Sequence, residues 1–431
     1  MLTTEEQLVI YNAFDKSITV NKISKYAVSI IRTLQSKNFS AYVVGGAVRD
    51  LIIGLKPKDF DIVTDAKPYE IKIIFPKSQV IGRRFQLVHV KKGSDFYEVS
   101  TFRSGVNKNY ICKPNSQKKN NHKKYSTDDS EFGTIHEDAF RRDLTINALY
   151  YDPVKEQVYD FNGGIKDLLD KRITVIGPPE IRFTEDPVRI LRIIRIAAKL
   201  NFQIPSDIEK HIYSKFHLIK DVSKSRLFDE SLKMFLHGQG LASYELIRRF
   251  NGLKYLVHLS KNNRINETSN QLFEVMLKST DLRVKQKKYV SPHFLFAVLL
   301  WPNLLNHVSK LEKERSVVRK LMSISSKTVL AKQASIISIP KRYLFKIIDI
   351  WNLQIPLVER RKKDHQFIIN HPCFRAAYDL ILLRETIGEK LNDAGRWWTE
   401  YQNGNKCEQA KLLDKKAFNE KNYKLNTHFY E

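Results

Sequence analysis

Two aspartates, Asp59 and Asp61, stand one residue apart in the stretch DFDIV, which is otherwise apolar. In a β-strand, residues two apart project from the same face, with their Cα atoms roughly 6.5–7 Å apart. Carboxylates held this close repel each other, and a divalent cation removes the repulsion. Mg²⁺ takes oxygen ligands and is commonly held by one or two carboxylates together with substrate phosphates. The pair indicates a magnesium site; the alternative is two surface carboxylates at a strand edge.

A pair of glycines precedes the aspartates, in YVVGGAVRD. Gly45 and Gly46 lie between a predicted strand and a predicted helix, where their amides can approach phosphate oxygens closely and the start of the helix adds a favourable dipole. Arg49, in the first turn of that helix, could reach the same phosphates. Glu98, on the strand expected beside the aspartates, could approach the same face. The stretch therefore favours a site for a metal and a phosphate.

The spacing of apolar residues predicts the elements that position these side chains. Helices are predicted at 23–36, 47–53 and 69–75, and strands at 41–44, 60–64, 86–91 and 96–102. The last two strands form a hairpin. From Pro187 onward helical patterns dominate, with Asp186 as the N-cap of the first helix. The fold class is therefore α+β, with a small mixed α/β head followed by an all-helical remainder.

The composition shows a strong positive charge and few cysteines. The 431 residues carry 73 Lys and Arg against 47 Asp and Glu, a formal net charge of +26. This excess favours a polyanionic partner, since Lys and Arg release counterions when they neutralise phosphates; a merely basic protein is the alternative. Three widely spaced cysteines form neither a metal-ligand pattern nor a disulfide framework. With no apolar run long enough to span a bilayer, we expect a cytoplasmic protein without a membrane partner.

A polar segment at 105–131 interrupts the predicted head. Between Gly105 and Tyr125 it holds six lysines and no acid. Such a segment can bury little, which predicts a mobile surface loop. The segment could contact RNA phosphates, or it could be a plain disordered insertion; the sequence favours neither alternative. The candidate contacts are Lys118, Lys119, Lys123 and Lys124.

With three later motifs, GGAVRD and DFDIV resemble the nucleotidyltransferase head of the polymerase β superfamily. EDAFRRDLTINALYYD is similar to the RRDxxxNA motif of class II enzymes, which comprise CCA-adding enzymes and bacterial poly(A) polymerases. FNGGIKDLLDKRITVIGPP resembles the segment after that motif, and RFTEDPVRILRIIRIAAKL resembles the nucleobase-reading helix. The resemblance implies an extension at 1–22, a polymerase β-like head at 23–151, a nucleobase- and RNA-binding neck at 152–240, a helical body at 241–403 and a tail at 404–431.

The resemblance also implies roles for individual residues. Asp59 and Asp61 would hold two Mg²⁺ ions, with Glu98 left open as a further ligand. Asp143 would be a third functional carboxylate, either catalytic or a nucleotide contact. The alternative for RRDLTINA is a helix that buries its apolar residues and turns its charges to water. The implied nucleotide-binding residues are Gly45, Gly46, Arg49, Arg142, Asn147, Glu185, Asp186 and Arg189.

The helix after Pro187 combines base-reading and basic residues. Glu185, Asp186 and Arg189 match the family's EDxxR element, whose acceptors and donors can pair with the edge of a base. Arg189, Arg192 and Arg195 recur at three-residue spacing, so they lie along one face of the helix. Arg192 and Arg195 are candidates for RNA phosphate contact. A solvated basic stripe is the alternative, and it is favoured for Arg195.

Three features favour poly(A) polymerases over CCA-adding enzymes. IGRRFQLVHV resembles a block of the bacterial poly(A) polymerases and would place Arg83 and Arg84 near the triphosphate or primer; surface salt bridges are the alternative. GEKLNDAGRWWTEYQ resembles a Trp-Trp segment of the same enzymes, although Trp397 and Trp398 could simply pack a terminal helix. No HD-type metal cluster stands out in the helical half.

The implied activity is template-independent addition of AMP, from ATP as substrate, to the 3′ ends of mRNA or other transcripts. The RNA-decay machinery is a further candidate partner. Two alternatives stay open. CCA addition would make tRNA the partner, and a catalytically inactive RNA-binding protein would keep the fold without the chemistry.

Overall fold

The computed structural model describes residues 8–16, 18–82, 86–104, 132–259, 265–312, 318–361 and 364–414. The chain divides into two compact units. The first comprises Met1–Arg182 and Asn201–His211, and the second comprises Phe183–Leu200 and Ile212–Glu431. All the strands of the described residues belong to the first unit, and the second unit is helical.

Eight strands within the described residues form one sheet. They are β1 (Val9–Asn12), β2 (Ala41–Val44), β3 (Asp61–Thr64), β4 (Gln79–Ile81), β5 (Leu87–Lys92), β6 (Asp95–Thr101), β7 (Leu149–Asp152) and β8 (Gln157–Asp160). Their order across the sheet is β1-β8-β7-β2-β3-β6-β5-β4. Neighbouring strands are antiparallel except β3 and β6, which run parallel. The two strands that matter most for the site, β2 and β3, lie side by side at the centre.

Twenty α-helices are formed by the described residues. They are α1 (Lys25–Gln35), α2 (Gly46–Ile52), α3 (Pro68–Ile74), α4 (Ile135–Arg141), α5 (Gly164–Leu169), α6 (Pro179–Glu185), α7 (Val188–Leu200), α8 (Ser206–Lys215), α9 (Lys224–Phe235), α10 (Gly240–Arg249), α11 (Glu267–Lys285), α12 (Pro292–Leu299), α13 (Trp301–Glu312), α14 (Val318–Ile336), α15 (Lys341–Asn352), α16 (Gln354–Glu359), α17 (His365–Ile369), α18 (Phe374–Thr386), α19 (Ala394–Asn403) and α20 (Lys406–Asp414). In the part of the chain that the structure describes, none is long and apolar enough to cross a membrane.

An apolar cluster ties the centre of the sheet together. Val44, Val63, Phe102, Tyr150 and Phe161 pack against one another there. Tyr150 is fully buried, and its ring meets that of Phe161 edge to face at a centroid distance of 5.8 Å. Because Val44 is the last residue of β2, the close-packed core extends to the start of the glycine turn, which fixes the turn relative to the sheet.

The second unit is built around buried tryptophans. Trp301, Trp351 and Trp398 are fully buried. The indole of Trp351 donates to the carbonyl of Ala297 at 2.9 Å, and that of Trp398 donates to the carbonyl of Leu357 at 2.8 Å. Within the Trp-Trp segment, Trp398 therefore packs α19 into the unit, as the packing alternative predicted.

The fold class predicted from the sequence is confirmed: a mixed sheet with helices is followed by a mostly helical remainder. The sheet reaches further along the chain than expected, however, since β1 lies before residue 23 and β8 lies after residue 151. Each is only four residues long, and β1 pairs with β8 alone at the edge of the sheet, so neither produces a long alternating pattern. The helical alternative for RRDLTINA is wrong, because Thr145–Asn147 forms a 3₁₀ turn and Leu149 begins β7.

Candidate active site

The register of β2 and β3 brings the glycine turn and the aspartates together. Val44, at the end of β2, pairs with Asp61, at the start of β3. Gly45 and Gly46 follow Val44 directly, so the turn begins beside Asp61. Asp59 is exposed and precedes β3, where it is not part of the strand. The glycine turn and Asp61 therefore meet at one end of two neighbouring strands. The expectation that both aspartates project from one strand is wrong, because the strand begins only at Asp61.

The carboxylates act on one another electrostatically. Burial raises the pKa of Asp61 above its ordinary value, the charge of Glu98 raises it further, and that of Asp59 adds to the effect. Arg142 opposes them. The register explains the influence of Glu98. Asp61 and Glu98 directly precede Ile62 and Val99, which pair between the parallel strands β3 and β6. The site is thus a locus of excess negative charge that a cation would relieve.

The donor set fits a divalent ion that also binds a substrate. Asp59 and Asp61 would supply carboxylate oxygens. The side chain of Asp61 is accessible to solvent at the strand end, although neighbouring groups partly desolvate its carboxylate. Among the described residues, no group of three or more His, Cys, Asp or Glu side chains forms a metal site of its own. Glu98 lies 3.5 Å from the imidazole of His89, measured from Oε1 to Nε2. A carboxylate pair suits Mg²⁺, which keeps several waters and takes substrate phosphates, and Glu98 stays open as a further ligand.

Gly45 is required by the backbone of the turn. Its φ is +76°, a backbone conformation that residues other than glycine rarely adopt. Its amide donates to the carbonyl of Leu149 at 3.2 Å, so this amide is engaged in the sheet and the expected phosphate contact from it is not available. A Cβ at Gly45 would lie 3.7 Å from Nη1 of Arg142, which places that guanidinium beside the turn.

Arg49 links the helix after the turn to the RRD motif. It is 5% exposed, and its Nε and Nη2 donate to Oδ1 of Asp50 at 2.8 and 2.6 Å. Its Nη1 donates to Oδ1 of Asn147 at 2.6 Å, and Asn147 in turn donates to Oδ1 of Asp143 at 3.2 Å. All three guanidinium nitrogens therefore have protein acceptors. Arg49 therefore positions Asn147 and, through it, Asp143. Its contact with the phosphates stays a prediction.

Arg142 is held in place by a fully buried carboxylate. Oδ2 of Asp138, one turn earlier on α4, accepts from Nε and Nη2 of Arg142 at 3.1 and 2.9 Å and from the hydroxyl of Tyr150 at 2.8 Å. Oδ1 of Asp138 accepts from Nε and Nη2 of Arg141 at 2.8 and 2.5 Å. Burial raises the pKa of Asp138, but Arg142 and Arg141 outweigh that effect and leave the pKa below its ordinary value.

Two positioning residues were missed by the reasoning from sequence. Asp138 could have been found, because it lies four residues before Arg142 on a predictable helix. Arg182 gave no such signal. Its Nη2 donates to the carbonyls of Arg141 and Arg142 at 2.6 and 2.7 Å, and so fixes the backbone at the end of α4 from a position 40 residues further along the chain.

The base-reading candidates belong to the second unit, which is described by itself. Nη1 of Arg189 lies 2.9 Å from Oε2 of Glu185. Oδ2 of Asp186 accepts from Nη2 of Arg226, on α9, at 2.8 Å. Within this unit the donors and acceptors of the EDxxR element are therefore held in fixed relative positions, as reading of a base requires.

The two other arginines of α7, Arg192 and Arg195, are less exposed than a solvated stripe would be. Arg192 is half-buried. Arg195 is also half-buried, and its Nε lies 2.5 Å from Oε1 of Glu230, which is 5% exposed. The solvated alternative favoured for Arg195 is therefore wrong. Its guanidinium neutralises a buried carboxylate of α9, which supports a structural role for Arg195 over contact with RNA phosphates.

Six further candidates lie outside the described residues: Arg83, Arg84, Lys118, Lys119, Lys123 and Lys124.

Three family models match the chain. They describe a poly A polymerase head domain at residues 41–174, a probable RNA and SrmB-binding site of polymerase A at residues 201–260, and a polymerase A arginine-rich C-terminus at residues 318–427. Poly(A) polymerase I of Haemophilus influenzae is 37% identical over 403 residues, which cover 92% of this chain and 88% of that protein.

CCA-adding enzymes are also similar. The CCA-adding enzyme of Lactobacillus helveticus is 35% identical over 208 residues, covering 48% of this chain and 49% of that protein. Among solved structures, the Thermotoga maritima CCA-adding enzyme complexed with tRNA has a TM-score of 0.58 at 19% identity, covering 94% of this chain and 93% of the other. At that identity the likeness concerns the fold alone.

Proposed function

Because the chain belongs to the poly(A) polymerase family, we propose that it adds AMP from ATP to RNA 3′ ends without a template and releases pyrophosphate. The match to a poly(A) polymerase runs along 92% of the chain, whereas the match to a CCA-adding enzyme runs along 48%. The observation that carries the chemistry is the pairing of Val44 with Asp61, which sets the glycine turn beside one of the two proposed metal ligands.

Asp59 and Asp61 would hold two Mg²⁺ ions, and Glu98 is proposed as a further ligand. When bound, the metals would lower the pKa of the primer 3′-hydroxyl and offset the charge of the nucleotide phosphates. The protein's own contribution is to hold the carboxylates close together at one strand end. Their mutual repulsion would be relieved when a cation binds. Burial raises the pKa of Asp61 most, and the negative charges of Glu98 and Asp59 raise it further.

The reaction forms a bond between the 3′ oxygen and the α-phosphorus and breaks the bond from that phosphorus to the bridging oxygen of the β-phosphate. The hydroxyl proton is released, and pyrophosphate leaves with the bonding electron pair. Arg142 would lie against the triphosphate, because its guanidinium is beside the turn and Asp138 holds it there. Asp143 and Asn147, fixed by Arg49, would contact the nucleotide or act in catalysis. Positioning and charge stabilisation then supply most of the rate.

Selection of the base is assigned to the second unit. We place Glu185, Asp186 and Arg189 at the edge of the adenine, where fixed acceptors and donors discriminate between bases. The RNA primer is the macromolecular substrate, and Arg192 and the lysines of 105–131 would contact its phosphates. A match to a model described as a probable RNA and SrmB-binding site supports RNA as the substrate. The RNA-decay machinery is proposed as a further partner. For this role we propose a cytoplasmic location.

Incubation with ATP and CTP, on tRNA lacking its 3′ end and on unstructured RNA, tests the assignment. Long adenosine tails on both RNAs are expected. Addition that stops after C, C and A on tRNA alone would instead identify a CCA-adding enzyme. Asp61→Ala should abolish transfer while RNA binding persists, and retained transfer in that variant would refute the metal assignment.

A further inference from the structure

The second unit holds a cleft that the proposed function does not use. It has a volume of about 510 Å³ and lies between the end of α11, the start of α12 and α18. Ligand sites typically occupy about 300–1,000 Å³, so the cleft is large enough for a nucleotide. The lining residues that carry the argument are Arg283, Lys288, Tyr289, His293, Arg375 and Asp379.

The cleft carries an excess of positive charge. Arg283, Lys288 and Arg375 are its cations, and Asp379 is the carboxylate among its lining residues. Asp379 accepts from Nη1 of Arg283 at 2.8 Å and lies 3.1 Å from Nε of Arg375. A single carboxylate therefore orders two guanidinium groups without neutralising both. An ordered pair of guanidiniums with a nearby lysine is suited to an anion such as a phosphate.

Two buried nitrogens at the cleft have no hydrogen-bond partner within the described ranges. They are Nε of Arg283 and Nδ1 of His293. Buried polar atoms are seldom left without a partner, because their desolvation costs free energy. Burial, helped by the charge of Lys346, lowers the pKa of His293 to about 4, so its ring is neutral near pH 7. Polar groups of a bound ligand could form hydrogen bonds with these two nitrogens.

An exposed aromatic ring stands at the edge of the cleft. Tyr289 is 78% exposed, although the side chain is large and half apolar. Lys285, Lys287 and Lys288, which precede it, are exposed as well. A solvent-facing ring next to several lysines is the combination with which proteins stack the bases and neutralise the phosphates of single strands. An acidic peptide would use the cations but would leave the ring unexplained.

We propose that this cleft binds a nucleotide unit of single-stranded RNA, with its base on Tyr289 and its phosphate between Lys288 and Arg375. The inference rests on the proposed function and deepens it, since it names a second contact with the RNA substrate. The contact belongs to the helical unit and needs neither metal nor incoming ATP.

The test compares two double variants for binding of a short, labelled single-stranded RNA in metal-free buffer, where no transfer takes place. Lys288→Gln with Tyr289→Ala should raise the Kd about tenfold, as expected for the loss of one stacked base and one phosphate contact. The matched control, Lys341→Gln with Phe345→Ala, removes the same charge and an exposed ring from α15, where Phe345 is 69% exposed. Its Kd should change less than about twofold.

A third variant makes the phosphate contact independent of the ring. Arg375→Gln leaves Asp379 paired with Arg283 and should reduce the slope of log Kd against log salt by about one. Unchanged RNA affinity in the cleft variants would overturn the proposal. This holds even if the cleft then proves to bind free AMP or an acidic peptide. Since binding is measured without metal, the outcome stands apart from the transfer assay with Asp61→Ala.

Discussion

Substitution of Asp138 by Asn tests the argument that a buried carboxylate positions the arginine at the phosphates. The change keeps the shape of the side chain and removes its charge. Asp138 is fully buried and accepts from Arg141, Arg142 and the hydroxyl of Tyr150. Asn would offer one acceptor and turn an amide N–H toward a guanidinium, so Arg142 would lose the bond that directs it to the glycine turn.

The expected losses follow from burial. Breaking a buried ion pair by removing one partner costs about 3–5 kcal/mol. The lower end applies here, because the side chains of Arg141 and Arg142 are 30% and 19% exposed and can recruit water. We therefore expect the free energy of unfolding of the first unit to fall by about 3 kcal/mol. A displacement of Arg142 by about 1 Å would lower kcat/KM for ATP about 100-fold.

Urea denaturation and steady-state kinetics measure the two losses. Asp160→Asn is the matched control, because Asp160 is also buried in the first unit but accepts from the backbone amides of Asn162, Gly164 and Ile165. That variant should lose stability and keep most of its kcat/KM. If Asp138→Asn kept kcat/KM within about twofold of the native value, the positioning argument would be refuted.

The same variant carries a pH signature. The pKa of Asp138 is lower in the folded protein than its ordinary value, so its stabilisation is fully present above the unfolded pKa of about 4 and is lost as pH falls through the folded pKa. The difference in unfolding free energy between the native protein and Asp138→Asn should be constant from neutral pH down to about pH 5 and shrink below pH 4. A difference that instead grew on acidification would contradict the assigned direction.

Three further predictions concern the turn, α7 and the lysine-rich segment. Gly45→Ala should lower the free energy of unfolding by about 1–2 kcal/mol and reduce kcat/KM for ATP, because φ is positive there; Gly46→Ala, whose Cβ would meet Arg49 at 3.4 Å, should be milder, and equal effects in urea titrations would refute the turn argument. Arg195→Gln should cost about 3 kcal/mol by leaving Glu230 buried without its partner, with RNA affinity unchanged; weaker RNA binding by a fully stable variant would restore the phosphate contact. Replacement of the four candidate lysines of 105–131 by Gln should weaken RNA binding and flatten its salt dependence, and an unchanged salt slope would reject that contact.

The sequence was sufficient to predict the elements that carry the site. Short apolar runs and the glycine pair marked β2, α2 and β3 within a residue, because hydrophobic period and turn chemistry are local signals. The meeting of Gly45 with Asp61 was also predictable, since it needs only that two consecutive strands be neighbours. The hairpin before residue 105 was predicted for the same reason.

Side-chain partners were not predictable to the same extent. The bond from Arg49 to Asn147 was not foreseen, since Asn147 is 98 residues away along the chain. Arg195 was expected in solvent, yet Glu230 on α9 reaches it. Such pairs depend on how elements distant in sequence pack, and the type and spacing of residues within one helix do not encode that.

The metal and triphosphate sites are tested most directly by a crystal structure with a non-hydrolysable ATP analogue and Mn²⁺ in place of Mg²⁺, since anomalous scattering locates manganese. We expect manganese peaks at the carboxylates of Asp59 and Asp61, with the triphosphate at the Gly45–Gly46 turn and against Arg142. Manganese bound elsewhere, with those carboxylates facing solvent and the triphosphate distant from the turn, would contradict it.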